Sequence, residues 1–183
     1  MMRRGPRLAL ALALLAVAVG VLLRLDPHRE RPAPTGPRPP PVATGLLEGR
    51  ARVVDGDTIE VAGRRVRLHG IDAPERDQAC ERGGRRYACG EEAARALAEL
   101  VAGRHVRCAG RGEDQYGRVI AVCRANGTDL GEAMVRAGWA VAFRRYAEDY
   151  VDAEAAARRA GAGLWAGRFE APEDWRRQRP AGR

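Results

Sequence analysis

The stretch Val54-Asp55-Gly56-Asp57-Thr58-Ile59-Glu60-Val61-Ala62-Gly63-Arg64-Arg65-Val66-Arg67-Leu68 decides the fold. Asp55-Gly56 is a tight-turn dipeptide, because glycine takes backbone angles that other residues resist. Ala62-Gly63 supplies a second turn. Thr58 to Val61 reads as a strand between them. Arg65 to Leu68 reads as another, with Val66 and Leu68 on one face and Arg65 and Arg67 on the other. Upstream, Leu46 to Val54 is also strand-like. Strands joined by tight turns in this way form an antiparallel meander.

Downstream, Gly70 to about Gly90 reads as a loop. A helix follows, with Glu91 and Glu92 near its start, where carboxylates suit the macrodipole. Ala94, Leu97, Ala98 and Val101 form its apolar stripe, and Gly103 ends it. His105 to Ala109 and Arg118 to Cys123 read as the arms of a hairpin about Asp114-Gln115-Tyr116-Gly117. Asn126-Gly127 is a further turn. Leu130 to Ala137 reads as a short helix stopped by Gly138, Trp139 to Phe143 as a short strand, and Tyr150 to Ala160 as a helix ending at Gly161. Residues 171–183 read as a basic C-terminal tail. This order predicts an α+β domain over 45–170, a five-stranded β-barrel with about three helices.

The amino-terminal side is built differently. Arg3, Arg4 and Arg7 precede an uninterrupted apolar run from Leu8 to Leu23. A cationic flank before an apolar core is an export pattern. Residues 1–25 are therefore expected to act as a signal anchor or a cleaved signal peptide. Residues 26–44 are rich in Pro and Arg and cannot form a core, so they read as an extended linker. The chain would face the periplasm or cell exterior, anchored through the apolar segment or secreted if that segment is cleaved.

The net charge of +8 says little about a partner. All 32 basic residues are arginine, which reads as codon bias and not as a polyanion-binding signal. Residues 1–44 hold seven arginines against Asp26 and Glu30, so +5 lies there and +3 remains for the rest.

The four cysteines, Cys80, Cys89, Cys108 and Cys123, fit an oxidising compartment. They allow three pairings. One is favoured by geometry: Cys108 and Cys123 lie symmetrically about the 114–117 turn and would face each other across the hairpin. Cys80 and Cys89 would then close a short loop. The cysteine spacings match no common zinc site.

Three polar clusters carry chemistry. They are Asp55-Gly56-Asp57-Thr58, Arg67-Leu68-His69-Gly70-Ile71-Asp72-Ala73-Pro74-Glu75 and Asp114-Gln115-Tyr116-Gly117-Arg118. Each has a plain reading as turn or strand chemistry when taken alone. Together they mean more. The meander brings the end carrying Asp57 close to the end carrying Asp72. Paired carboxylates there call for a hard cation such as Ca²⁺ or Mg²⁺. Pro74 biases Ala73 away from the helical region, which can turn its carbonyl to the same ion. Glu75 is placed to act as a base on water. Arg67 and Arg118 would receive the charge of a phosphate.

These motifs, in this order and spacing, resemble the thermonuclease (staphylococcal nuclease-like) family from about Leu46 to Trp165. The segment Asp129 to Gly138 also resembles a helix of that family. The resemblance implies an OB-fold barrel and Ca²⁺-dependent hydrolysis of DNA and RNA, leaving 3′-phosphates. It implies Asp57 and Asp72 as metal ligands with the Ala73 carbonyl, and Asp55 as a carboxylate that tunes the metal from behind them. It implies Glu75 as general base and Arg67 and Arg118 as phosphate-binding arginines. Family members carry substrate-stacking tyrosines after the short helix. Here that region reads Val141-Ala142-Phe143-Arg144-Arg145-Tyr146, so Phe143 or Tyr146 is expected to stack on substrate. The expectation is an exported, monomeric nuclease. The alternative is a non-catalytic nucleic-acid- or protein-binding module on the same barrel.

Overall fold

A computed structural model describes residues 45–179. The apolar run, the linker over 26–44 and residues 180–183 lie outside the described residues. The meander forms as expected. Strand β1 (Leu46–Val53) pairs antiparallel with β2 (Thr58–Val61), and β2 pairs with β3 (Arg64–Leu68). The 70–90 loop contains more order than the sequence suggested. It holds β4 (Ile71–Asp72) and a small hairpin of β5 (Cys80–Arg82) with β6 (Arg85–Tyr87). These short strands have no periodicity long enough to register in a sequence reading.

Helix α1 (Cys89–Val101) is followed by the hairpin of β7 (His105–Glu113) and β8 (Val119–Ala125). The arms run longer than expected. Gly110 and Gly112 look like strand breakers, yet the strand continues past them through a shift in register. Strand β7 pairs antiparallel with β1, and β8 pairs parallel with β3. The order β1-β2-β3-β8-β7 therefore closes on itself as a five-stranded barrel. This is the OB-fold architecture, and closure leaves few exposed strand edges.

A short β9 (Thr128–Asp129) leads into α2 (Leu130–Arg136), whose Glu132 N–H is capped by the Asp129 carboxylate. Strand β10 (Val141–Ala142) pairs with β4, setting Val141 opposite Asp72. Helix α3 (Val151–Ala160) ends at Gly161 in the left-handed region, and a 3-10 turn spans Gly163–Ala166. The segment read as a basic tail contains a further helix, α4 (Pro172–Gln178), with proline at its first position. The described residues thus hold four α-helices where about three were expected.

The barrel interior is apolar. Ile59, Val61, Val66, Leu68, Val106 and Val119 are buried there with Leu97 of α1 and Met134 of α2. Both disulfides form in the favoured pairing, Cys80 with Cys89 and Cys108 with Cys123. Cys108 and Cys123 are directly opposed in the β7–β8 register, with Cα atoms 4.0 Å apart. Among the described residues no helix is long and apolar enough to cross a membrane.

Candidate active site

The site is built at the rim where β2, β3 and β4 meet. Asp57 enters β2 from the Asp55-Gly56 turn. Its backbone carbonyl accepts the Leu68 N–H at 2.8 Å, which fixes Asp57 beside the end of β3. Gly56 is needed in that turn, because a side chain there would meet Ala73 Cβ at 2.7 Å and Ala93 Cβ at 2.9 Å. Asp72 is carried in by β4 and buttressed by β10. Both carboxylates are buried, Asp57 at 4% exposure and Asp72 at 1%.

Arg67 joins them. Its Nη1 donates to Asp57 Oδ1 at 2.9 Å and its Nη2 to Asp72 Oδ1 at 2.8 Å. The planar fork suits two acceptors at fixed separation. Asp57 also accepts from Thr58 Oγ1 at 2.9 Å and, through Oδ2, from the Ala73 N–H at 3.2 Å. Asp55 stands behind and accepts the Asp57 N–H at 3.0 Å. The expected metal trio of Asp57, Asp72 and Ala73 is therefore contiguous, with Asp55 next to it.

Glu75 lies one turn of loop beyond, held by its backbone. Its N–H donates to Gln78 Oε1 at 3.2 Å. Its carbonyl passes so close to Gly90 that a side chain at that glycine would approach it to 1.8 Å. The start of α1 is thus packed directly against the loop that aims Glu75. The Cys80–Cys89 disulfide lies beside this contact.

Arg118 follows the hairpin turn, as the sequence placed it. Asp114 holds it: Nε donates to Asp114 Oδ2 at 2.7 Å, while Asp114 Oδ1 accepts the Tyr116 and Arg118 N–H groups. The guanidinium also lies 5.5 Å from the centre of the Tyr116 ring. Among the described residues no hydrogen bond joins Arg118 to Asp57, Asp72 or Glu75. Among the described residues its terminal amino groups have no hydrogen-bond partner, which leaves them for an anion. Phe143 and Tyr146 pack on each other with ring centres 4.9 Å apart. They do not line the cleft beside Glu75. That cleft, of about 590 Å³, is lined instead by Tyr116 and Trp175 among others.

Sequence reasoning missed two members of the site. Gln78 is fully buried at 0% exposure and binds both the Glu75 N–H and, through Nε2 at 2.8 Å, the Glu170 carbonyl. Arg176 of α4 donates from Nη1 to Glu75 Oε1 and from Nη2 to Asp72 Oδ2, each at 2.8 Å. A buried glutamine inside a polar loop gives no local signal. One arginine in a basic tail gives none either.

Burial is the largest influence on the acidic groups. Burial pushes the Asp55 carboxyl up to about 6, helped by the neighbouring Asp57 charge. Burial also holds Asp72 above the ordinary carboxylate range, although Arg176 and Arg67 both pull it down. Burial alone would lower the Arg67 pKa, but the Asp57 and Asp72 charges outweigh it and raise it. Among the described residues no group of three or more His, Cys, Asp or Glu side chains is arranged as a metal cage. The donor set is smaller: two buried carboxylates, both hard oxygen ligands, with the Ala73 N–H on Asp57 Oδ2. Hard oxygens of this kind suit a divalent ion of the Ca²⁺ or Mg²⁺ type.

Comparisons with known proteins bear on the family. The family model described as staphylococcal nuclease homologue matches residues 65–167. Succinoglycan biosynthesis protein ExoI of Rhizobium meliloti (strain 1021) is 45% identical over 123 residues, covering 64% of this chain and 63% of its own length. The chain thus spans somewhat under two thirds of that relative. A protein named uncharacterized endonuclease from Haemophilus influenzae is 35% identical over 135 residues, covering 69% of this chain and 71% of its own. The micrococcal nuclease of Shigella flexneri is 34% identical over 144 residues, covering 69% and 78%. The matched span runs from β3 through the 3-10 turn and takes in Arg67, Asp72, Glu75 and Arg118, and with the closed barrel it shows that the chain belongs to the staphylococcal nuclease homologue family.

Proposed function

We propose that the protein is an exported nuclease that hydrolyses phosphodiester bonds of DNA and RNA with Ca²⁺ as cofactor. The observation that carries this reading is the pair of buried carboxylates, Asp57 and Asp72, joined by Arg67 and followed by Glu75 at the mouth of a cleft. The disulfides and the apolar amino terminus support an extracytoplasmic location.

Asp57, Asp72 and the Ala73 carbonyl would hold the ion. Bound Ca²⁺ would supply charge neutralisation at a non-bridging phosphate oxygen. Glu75 takes a proton from the attacking water through Oε2, since Oε1 accepts from Arg176. The water oxygen bonds to phosphorus as the bond from phosphorus to the 5′ oxygen breaks. The leaving oxygen takes a proton from solvent, and the products carry a 3′-phosphate and a 5′-hydroxyl. Arg67 and the free amino groups of Arg118 donate to the phosphate oxygens as their charge grows. Asp114 keeps the Arg118 fork aimed by holding its Nε.

The test is digestion of single-stranded DNA and RNA by the purified protein with Ca²⁺, with Mg²⁺ and with EGTA. Cleavage in Ca²⁺ that EGTA abolishes is expected. Glu75→Ala should lower kcat by about 10²- to 10⁴-fold with the fold intact. Undiminished cleavage by Glu75→Ala, or full activity in EGTA, overturns the reading.

A further inference from the structure

Arg176 lies 104 residues from Asp72 in the chain, yet it completes a continuous line of charge. Arg67 bridges Asp57 to Asp72, and Arg176 bridges Asp72 to Glu75. Each oxygen of Asp72 accepts from a different guanidinium. The order is carboxylate, arginine, carboxylate, arginine, carboxylate, and it runs from the metal ligands to the base.

The helix carrying Arg176 is fastened to the domain. Gln78 ties the Glu75 loop to the Glu170 carbonyl just before α4. Glu81 and Arg168 exchange two backbone hydrogen bonds at 2.8 and 2.9 Å. Arg145 pairs with Glu173 at 2.6 Å. Pro172 is buried. The neighbouring arginines are occupied otherwise. Arg177 pairs with Asp174, and Arg179 stacks on Trp175. Only Arg176 of this group turns to the carboxylates.

Glu75 needs such a support. Its side chain is 37% exposed on a loop, and a free glutamate has many rotamers. A planar fork gripping Oε1 and, at the same time, the buried Asp72 removes most of that freedom. It engages Oε1 and not Oε2. We propose that Arg176 is a positioning residue for hydrolysis: it fixes the base Glu75 relative to the metal ligand Asp72, so the C-terminal helix is part of the catalytic unit. This rests on the nuclease reading above.

The experiment compares the full-length wild type with R176Q, R176K and R177Q. It measures kcat and KM on single-stranded DNA in Ca²⁺, and Ca²⁺ affinity by calorimetry without substrate. R176Q should lose about tenfold or more in kcat, with KM changed by less than about threefold, because misplacing a reacting group costs rate before binding. Its Ca²⁺ affinity should stay equal or tighten, since a positive charge beside Asp72 is gone. R176K should recover only part of the rate, because an ammonium cannot fork across two carboxylates. R177Q should keep the wild-type kcat, because Arg177 touches neither Glu75 nor Asp72.

Wild-type kcat in R176Q overturns the proposal. So does a kcat loss accompanied by an equal weakening of Ca²⁺ binding, which marks a collapsed site. If R176Q does not fold, wild-type kcat in a folded R176K overturns it. Failure of the wild type to cleave in Ca²⁺ defeats the nuclease reading and this role with it. Cleavage by the wild type with equal cleavage by R176Q defeats this role alone.

Discussion

Arg67 Nη1 donates to Asp57 Oδ1 at 2.9 Å, where Asp57 is almost wholly removed from water. The bond joins neighbouring strands at the barrel rim and holds a carboxylate that would otherwise be buried unpaired. Removing one partner of such a pair leaves the full desolvation penalty on the other. Arg67→Ala should therefore cost about 3 kcal/mol of unfolding free energy. Urea denaturation at neutral pH measures it. Millimolar Ca²⁺ should restore part of the loss in the variant, because a bound cation replaces the missing charge. A variant as stable as the wild type without Ca²⁺ would contradict the pairing.

Asp114 holds the hairpin turn and Arg118 together. Burial works against its ionised form, but the Arg118 backbone and side-chain bonds win and hold its pKa below the ordinary 3.8. A depressed folded pKa stabilises the protein above the unfolded value, and that stability is lost as pH falls through the folded value. Asp114→Asn keeps an acceptor for the Tyr116 and Arg118 N–H groups and loses the ion pair. It should cost about 1 kcal/mol at pH 7. The gap between wild type and variant should close as the pH drops well below 3.8. Thermal midpoints across that range check the sign. The variant should also lose activity, since its Arg118 fork is no longer aimed.

Gln78 is fully buried and serves both the Glu75 N–H and the Glu170 carbonyl. Gln78→Leu keeps the bulk and strands both groups. The expected cost is about 2 kcal/mol. The rate should fall as well, because the variant loosens Glu75 and the anchor of α4 together. Denaturation and steady-state kinetics on one preparation give both values. A stable variant with an unchanged rate would show that Gln78 does not hold the loop.

The Cys108–Cys123 bridge crosses the barrel hairpin with a separation of 15 residues. Closing a loop of that length stabilises the fold by about 3 kcal/mol in the chain-entropy account. The double variant Cys108→Ala, Cys123→Ala should lose about that much, read by urea denaturation. The site geometry should survive, because neither cysteine touches the carboxylates. Activity below the variant's unfolding transition should therefore stay near that of the wild type.

The sequence by itself determined the barrel and pointed to the near half of the candidate site. Period-two alternation in β3 and glycine turns at Asp55-Gly56 and Ala62-Gly63 specify a meander locally. The symmetry of Cys108 and Cys123 about the 114–117 turn gave their pairing, because hairpin register follows from the position of the turn. Asp57, Asp72 and Glu75 were legible for the same reason: they sit at the ends of elements whose order is local. Only the tertiary structure decided that Arg176 closes the site, that Gln78 anchors Glu75, and that Arg118 is held by Asp114 rather than by the acid cluster. It also placed Trp175 at the cleft beside Glu75. The physical reason is separation along the chain. A contact across 104 residues leaves no periodicity in either partner. In a chain with 32 arginines, neither type nor charge marks the one that matters; only the docking of α4 against the rim picks it out.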